Sequence, residues 1–180
     1  MRILLHICCG NCAIYPVKIL REQQHEVTGF FFNPNIHPYQ EFSKRLATAK
    51  DYSQRVDLPV IYDEEYRLDE FLANVAQDPA SRCEYCYRSR LLATAREAQR
   101  QNQDGFTTTL LYSRYQRHDD IVAYGHKLAD EFNLTFHYDD YRVGWNEGIK
   151  ISKEMGLYRQ QYCGCIYSER DRYLPRNRKH

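Results

Sequence analysis

The sequence lacks the features that would place the chain in a membrane or outside the cell. No apolar run approaches the roughly 20 residues that a membrane-spanning helix needs. The apolar stretch that begins at Ile3 has only Arg2 before it, and no small-residue cleavage site follows, so it is not typical of a secretory signal. Both absences predict a cytoplasmic protein with no membrane partner.

The chain also lacks a strong net charge. Its 25 Lys and Arg residues nearly balance 24 Asp and Glu residues, so no overall field attracts nucleic acid. Basic residues gather at the end of the chain, in a tail (residues 169–180) that could contact phosphates or could be a solvated terminus: Arg170, Arg172, Arg176, Arg178 and Lys179. The length of 180 residues predicts a single domain, residues 1–180, with a cysteine-bearing C-terminal segment from about 156 to 180.

Strand and helix patterns alternate along the chain, and no repeat is present. Strands are predicted at about 2–8, 27–32, 58–62, 106–111 and 134–138, and helices at about 13–24, 38–56, 68–76, 82–101, 118–132 and 145–154. The final segment is predicted to be irregular. This alternation predicts an α/β fold, a parallel sheet with helices on both faces and reactive groups at the carboxyl ends of the strands.

The loop after the first strand lacks the glycines of a phosphate-binding loop. It reads Cys-Cys-Gly-Asn-Cys-Ala at 8–13, with one glycine, so it has no backbone cradle for phosphates. The adjacent thiols of Cys8 and Cys9 should point in different directions at a strand end, so we expect that they cannot easily both reach one atom, although they could bind two nearby metals. Cys9 and Cys12 span a turn and could converge.

Seven cysteines occur in three tight groups, 8–12, 83–86 and 163–165. A cytoplasmic protein keeps its thiols reduced, and cysteines that serve only packing should scatter, so the grouping indicates metal or redox chemistry. Cys83 and Cys86 should share one face of the first turn of a helix capped by Ser81, where the helix dipole stabilises thiolates. The glycine between Cys163 and Cys165 lets the backbone wrap closely around a metal.

These patterns leave three chemistries open: a four-iron cluster, a zinc site and a thiol redox motif. The corresponding alternatives to an iron–sulfur enzyme are a zinc-stabilised nucleic-acid-binding module without redox activity and a thiol–disulfide oxidoreductase. An ATP-using tRNA thiolation or ligation enzyme is a further alternative, against which the missing phosphate loop argues.

Several longer segments together carry a family resemblance. They are Leu-Leu-His-Ile-Cys-Cys at 4–9, Phe-Asn-Pro-Asn-Ile-His-Pro at 32–38, Arg-Cys-Glu-Tyr-Cys-Tyr-Arg-Ser-Arg-Leu at 82–91, Phe-Thr-Thr-Thr-Leu-Leu at 106–111, Gly-Trp at 144–145 and Gly-Leu-Tyr-Arg-Gln-Gln-Tyr-Cys-Gly-Cys-Ile-Tyr-Ser at 156–168. In their order and over nearly the whole chain, the sequence resembles the QueH-type epoxyqueuosine reductases.

The resemblance implies a fold similar to the adenine nucleotide α-hydrolases (HUP-like). It implies reduction of epoxyqueuosine to queuosine at the wobble position of tRNA, without cobalamin. The implied cofactors are a [4Fe-4S] cluster and a second mononuclear metal, which we expect to be iron; the electron donor is not identified. Asn11 stands where the family usually has proline, and Arg114 where its Ser-Pro is expected, so loop rigidity and substrate contacts differ at these positions.

The resemblance and the residue types together predict the site. All seven cysteines are expected to be metal ligands: Cys8, Cys9, Cys12, Cys83, Cys86, Cys163 and Cys165. We expect Cys83, Cys86 and at least one of the last two on the cluster, and the 8–12 group to divide between cluster and second metal. The candidate proton donors are His37, His118 and Asp119. Tyrosines and arginines are expected to hold an extruded nucleotide, with phosphate contacts from Arg88, Arg90, Arg159 and the basic tail.

Overall fold

The computed structural model describes residues 1–175, which form a five-stranded sheet in the order β3-β2-β1-β4-β5. The strands are β1 Arg2–His6, β2 Glu26–Phe31, β3 Val60–Tyr62, β4 Gly105–Thr108 and β5 Thr135–Phe136, and every pairing is parallel. The helices are α1 Gly10–Glu22, α2 Tyr39–Arg55, α3 Leu68–Val75, α4 Arg82–Arg100, α5 His118–Phe132, α6 Trp145–Glu154 and α7 Ile166–Tyr173. The α/β prediction is therefore confirmed.

The central strand β1 shows why the sheet is covered on both faces. Ile3 and Leu5 point into a core shared with helices α1 and α2, whereas Leu4, between them, belongs to a second core with helices α4 and α5. Successive side chains of a strand point to opposite faces, and a parallel strand covered on both sides reads as a continuous apolar run. The helices on both faces confirm that part of the prediction as well.

Apart from shifts of a few residues at the ends of elements, the structure differs from the prediction in three places. Strand β4 ends at Thr108 and continues as a 3₁₀ helix, Thr109–Tyr112, whose first free amide is capped by the Thr108 hydroxyl. The final segment, predicted to be irregular, contains α7; this helix buries no residue fully, so it has no apolar stripe to reveal it. Ser81 does not cap α4, because its hydroxyl donates to the Asp78 carbonyl instead.

The C-terminal segment packs against the loop that follows β2. The His37 amide donates to the Gly164 carbonyl at 2.8 Å, and the Tyr162 hydroxyl donates to the His37 carbonyl at 2.6 Å. On these contacts we propose that the cysteine-bearing segment and the sheet form one domain. Within residues 1–175, no helix is both long enough and apolar enough to cross a bilayer.

The strand order creates a crevice beside β1. The chain runs from β1 to β2 and β3 on one side, and then returns to place β4 on the other side of β1. Loops that leave the carboxyl ends of β1 and β4 therefore separate in opposite directions, which is the usual place for a ligand in an open parallel sheet. Cys8 and Cys9 follow β1 at this crevice, and Thr109 follows β4.

Gly125 tests the packing of α5 against the sheet. A Cβ atom at this position would lie 2.5 Å from the Phe136 ring of β5. Glycine to alanine inside a helix normally stabilises by about 0.5–1 kcal/mol, but here overpacking should dominate, so Gly125→Ala should lower the free energy of unfolding by about 1–3 kcal/mol.

Chemical denaturation measures the effect. The exposed Lys127→Ala on the same helix should change stability by no more than about 0.5 kcal/mol. Adding Phe136→Leu should recover part of the Gly125→Ala loss. A Gly125→Ala protein more stable than the parent would show that α5 does not pack on Phe136 in this way.

Candidate cysteine-lined active site

The first cysteine group surrounds the start of α1. Cys9 is the residue that precedes the helix, in an extended conformation, and Cys12 lies in the first turn. The Sγ atoms of Cys9 and Cys12 are 3.1 Å apart, those of Cys8 and Cys9 are 4.0 Å apart, and all three lie within 4.8 Å of one another. These three thiols could bind a single metal ion.

This convergence makes one prediction wrong. Cys8 and Cys9 were expected to point apart, as neighbours on a strand do. Strand β1 ends at His6, so the two residues lie in the turn between strand and helix, where the alternation of side chains no longer holds.

The first group is set up to hold one negative charge, on Cys8, whereas the pKa values of Cys12 and Cys9 are raised because both thiols donate to Cys8 and are buried. Hydrogen bonds from the Cys12 and Cys9 thiols lower the pKa of Cys8 well below its usual value. The Thr109 hydroxyl, at the end of β4, also donates to the Cys8 sulfur at 3.4 Å. Because the positive end of the α1 dipole faces the same atoms, a thiolate is favoured here, which is the form that binds metals.

A buried histidine, His6, lies at the end of β1, just before this group, and was not predicted as a site residue. The His6 ring lies 2.9 Å from the Thr108 hydroxyl and 3.1 Å from the Phe32 carbonyl, so it joins the ends of three strands. Burial, with help from the charge of Arg90, lowers the pKa of His6 to about 3. The ring is therefore neutral at pH 7, and its two hydrogen bonds connect the ends of neighbouring strands.

Asn11, at the position of the family's proline, makes specific contacts. Its side chain donates to the Tyr158 carbonyl and to Gln160, and it accepts a hydrogen bond of 2.8 Å from the Ser152 hydroxyl on α6. Gln160 in turn donates to the Cys12 sulfur at 3.3 Å. Asn11 thus restrains the loop through hydrogen bonds to α6 and to the C-terminal segment.

The second cysteine group joins α4 to the C-terminal segment. Cys83 and Cys86 lie in the first turn of α4, as predicted, and Cys165 precedes α7. Burial raises the pKa of Cys86 to about 12, and the neighbouring Cys163, Cys165 and Cys83 add to the rise against the opposing charge of Arg90. All seven cysteines are free thiols.

Arg90 lies between the two groups. Its side chain is 2% exposed and donates to the Cys86 sulfur at 2.7 Å. Burial opposes its charge, but the negative charges of Cys86, Cys8 and Cys163 raise the pKa of Arg90 above its ordinary value. This position argues against a direct contact between Arg90 and a tRNA phosphate and makes Arg90 a counter-charge for thiolates.

Arg45 is a second buried cation, which the sequence analysis missed. It is 1% exposed, pairs with Glu41 at 2.7 Å, and donates to the carbonyls of Cys163 at 2.8 Å and Tyr162 at 2.9 Å. Cys9 and Cys8 lie close enough for their charges to act on its pKa. The only sequence signal was a Glu-Arg pair four residues apart, a pattern common on exposed helices.

A cavity of about 510 Å³ opens over the first group. Its wall is formed by polar, aromatic and cysteine side chains from the loops after β1 and β4, from α6 and from the C-terminal segment, among them Cys8, Cys12, Thr109, Tyr112, Tyr115, Trp145, Arg159, Gln160 and Cys163. The volume lies within the range of roughly 300–1,000 Å³ that is usual for small-molecule sites.

The three predicted proton donors lie away from this wall. His37 packs against Phe71, and burial lowers its pKa to about 4, so the ring is neutral at pH 7. The His118 ring contacts the Tyr138 hydroxyl at 3.2 Å, and Asp119 is exposed in the first turn of α5. Among the residues that the structure describes, the cavity wall includes none of these three. The cavity wall does include the polar side chains of Thr109 and Gln160. The sequence analysis could not identify them, because neither residue belongs to a motif.

The predicted phosphate contacts occupy different places. Arg159 is exposed on the cavity wall. Arg88 is exposed on α4, where it pairs with Glu84 at 3.1 Å. In the basic tail, Arg170 and Arg172 belong to α7, whereas the part of the prediction that falls on residues 176–180 lies outside the described residues.

Comparisons with known proteins decide the family. The family model for the epoxyqueuosine reductase QueH matches residues 3–171. The chain belongs to the QueH family. Two curated relatives with the name epoxyqueuosine reductase QueH are 37% identical, from Dehalococcoides mccartyi, and 32% identical, from Thermotoga maritima. The alignments cover 96% and 99% of this chain and 94% and 93% of the relatives. This membership does not favour a zinc-stabilised binding module.

The fold has a solved neighbour as well. The crystal structure described as a predicted subunit of tRNA methyltransferase from Methanocaldococcus jannaschii superposes with a TM-score of 0.52 at 13% identity, over 87% of this chain and 89% of that one. At this identity the likeness concerns the fold alone, and it is consistent with the α/β, HUP-like fold expected from the sequence.

Arg45 offers a test of how this QueH family member holds its C-terminal cysteines. Arg45→Met leaves the buried Glu41 carboxylate without its ion pair, although the Tyr158 hydroxyl still donates to it, and leaves two carbonyls without a donor. Removing one member of a buried pair costs about 3–5 kcal/mol, so unfolding should become easier by that amount. Hydrogen exchange at residues 157–165 should rise, because the segment loses two anchoring bonds.

The matched control is Lys50→Met on the same helix, where the pair with Glu64 is about half exposed and should be worth no more than about 1 kcal/mol. Equal stability losses for the two variants, with unchanged exchange at 157–165, would contradict the anchoring role of Arg45.

Proposed function

We propose that this chain reduces epoxyqueuosine to queuosine at the wobble position of tRNA, in the cytoplasm. Two electrons and two protons convert the epoxide to an alkene, and the oxygen leaves as water. The observation that carries the proposal is the buried thiol group of Cys8, Cys9 and Cys12, two of which, Cys8 and Cys12, line a cavity, in a chain that belongs to the QueH family. The electrons come from an external donor.

We further propose how the seven cysteines divide. Cys83, Cys86, Cys163 and Cys165 supply the four thiolates that a [4Fe-4S] cluster needs. Cys8, Cys9 and Cys12 hold the second, mononuclear metal, expected to be iron. Because the sulfurs of Cys8, Cys9 and Cys12 lie within 4.8 Å of one another, we prefer this division to one that splits the 8–12 group between two metal centres. When bound, the cluster supplies single electrons, and the thiolate-held metal supplies a Lewis acid for the epoxide oxygen.

The surroundings of both groups fit anionic metal centres. Thiolates buried without counter-charge are costly, and here two buried guanidinium groups, Arg90 and Arg45, lie beside them. Gln160 and Thr109 donate hydrogen bonds to the sulfurs of Cys12 and Cys8. These donors hold the thiols in position at the floor of the cavity.

The protein contributes binding and orientation of the nucleotide. The cavity of about 510 Å³ is too small for a stack of several bases, so the modified nucleotide leaves the stack of its loop to reach Cys8 and Cys12. Arg159 lies exposed at the wall, where it is placed to contact a phosphate. Proton donation by His37, His118 or Asp119 gains no support from their positions outside the wall.

The division of cysteines predicts opposite metal losses from two variants. Cys12→Ser should remove about one iron per chain and leave acid-labile sulfide near four, because the cluster ligands are intact. Cys83→Ser should lower both iron and sulfide. Both variants should lose most reduction of epoxyqueuosine-containing tRNA.

The measurement is iron and sulfide content on anaerobically purified protein, with a visible spectrum. Each variant is the control for the other. Equal loss of sulfide in both would show that the two groups share one cluster, and zinc without sulfide in active parent protein would rule out the redox mechanism.

Arg90 should raise the reduction potential of the cluster. Reduction adds negative charge, and a buried cation 2.7 Å from the Cys86 sulfur favours the reduced form. Arg90→Met should therefore shift the potential to more negative values. A redox titration followed by the visible spectrum measures this shift.

Arg88→Met is the matched control, since Arg88 lies two residues away on the exposed face of α4. It should leave the potential unchanged. An Arg90→Met protein with full cluster content and the parent potential would contradict this effect of Arg90.

A further inference from the structure

An aromatic rim at the cavity mouth has a function that the reaction itself does not require. Tyr115, in the loop after the 3₁₀ helix, is 83% exposed and yet belongs to the cavity wall. Its ring meets the edge of Trp145, the first residue of α6, at a centroid distance of 5.8 Å and an angle of 78°. A large aromatic side chain exposed to this degree beside a cavity is available to pack against a bound molecule.

The base of this rim is rigid. The Tyr112 ring lies 5.1 Å from the Trp145 ring, and its hydroxyl donates to the Trp145 carbonyl at 3.0 Å. Behind it, Gly148 lets α6 approach, because a Cβ there would overlap the Tyr112 hydroxyl. Trp145 is therefore held in place by its contacts with Tyr112, whereas Tyr115 at its edge is exposed.

Positive charge accompanies the rim. The Arg114 guanidinium lies 5.7 Å from the centre of the Trp145 ring, and Arg159 is exposed on the same cavity wall. Aromatic rings beside arginines are the usual means of binding unpaired nucleotides, since the rings stack on bases and the guanidinium groups contact phosphates. The rim is continuous with the cavity, so its ligand adjoins the nucleotide that reaches Cys8 and Cys12.

We propose that Tyr115, Trp145 and Arg114 form a second base-binding position, which stacks a nucleotide of the anticodon loop next to the modified one. This proposal rests on the proposed function, because it takes tRNA as the substrate. Stacking is tolerant of base identity, so the position adds affinity and holds the RNA strand in place while the modified nucleotide occupies the cavity. Arg114, which replaces the proline expected in the family's Ser-Pro, contributes its charge here.

The test uses the metal-loaded protein and tRNA that carries epoxyqueuosine. Tyr115→Ala should weaken tRNA binding and raise KM roughly tenfold to a hundredfold, while kcat stays near the parent value, since base–aromatic stacking accounts for losses of this size. Tyr115→Phe should retain the parent binding. Tyr39→Ala, at another exposed tyrosine that lies outside the cavity wall, should bind like the parent.

Fluorescence provides a readout independent of turnover, because Trp145 is the single tryptophan of the chain. RNA binding should quench its emission in the parent and in Tyr39→Ala, and the quenching should fall in Tyr115→Ala at RNA concentrations that saturate binding. Thermal unfolding of Tyr115→Ala should match the parent, since the side chain is exposed.

The outcomes separate the two proposals. A parent protein that binds tRNA with quenching but leaves epoxyqueuosine unreduced would overturn the proposed function and not this position. A parent that reduces its substrate, together with Tyr115→Ala and Arg114→Ala variants that keep the parent KM and quenching, would overturn the base-binding position.

Discussion

The structure depends on the compensation of the buried Cys8 sulfur at the carboxyl end of β1, whose pKa is held low by the neighbouring thiols. Thiolates in a protein interior need compensation, and the fold brings several independent sources of it to one place. The N-terminus of α1 points at Cys8 and Cys9, the Thr109 hydroxyl reaches across from β4, and Arg90 and Arg45 bring full charges from helices on opposite faces of the sheet. The parallel sheet is what lets groups so far apart in sequence meet.

The same arrangement explains why the C-terminal segment is ordered although α7 buries little. Its cysteines approach α4 because Arg45 binds the carbonyls of Tyr162 and Cys163, and because Asn11 and Gln160 connect the segment to the first loop. Arg45, Asn11 and Gln160 therefore hold the segment beside the cysteines of the first loop and of α4. A metal centre shared between the segment and α4 would add the strongest link of all, since metal binding contributes directly to folding free energy.

Much of the fold was accessible from the sequence because parallel strands leave continuous apolar runs and their helices carry regular stripes. The elements that were mispredicted lack those signals: α7 buries no residue fully, and β4 turns into a 3₁₀ helix whose Leu110 amide is capped by the Thr108 hydroxyl. The cysteine inventory was also readable, since grouped thiols are rare in reduced proteins. The sequence did not show which thiols converge, because the direction of the Cys8 side chain depends on where β1 ends.

The second layer of the site was the least predictable part. Arg45, His6, Thr109 and Gln160 have no motif of their own, and each acquires its role only through contacts across more than one element. Arg90 shows most clearly what the sequence does not reveal. From the sequence, an arginine one helical turn after Cys86 is a reasonable phosphate ligand. In the fold, the same spacing places its guanidinium against the Cys86 sulfur. The fold thus separates two kinds of arginine: Arg114 and Arg159 stay exposed beside the cavity, whereas Arg90 and Arg45 are buried against a cysteine sulfur and the carbonyls of the C-terminal segment.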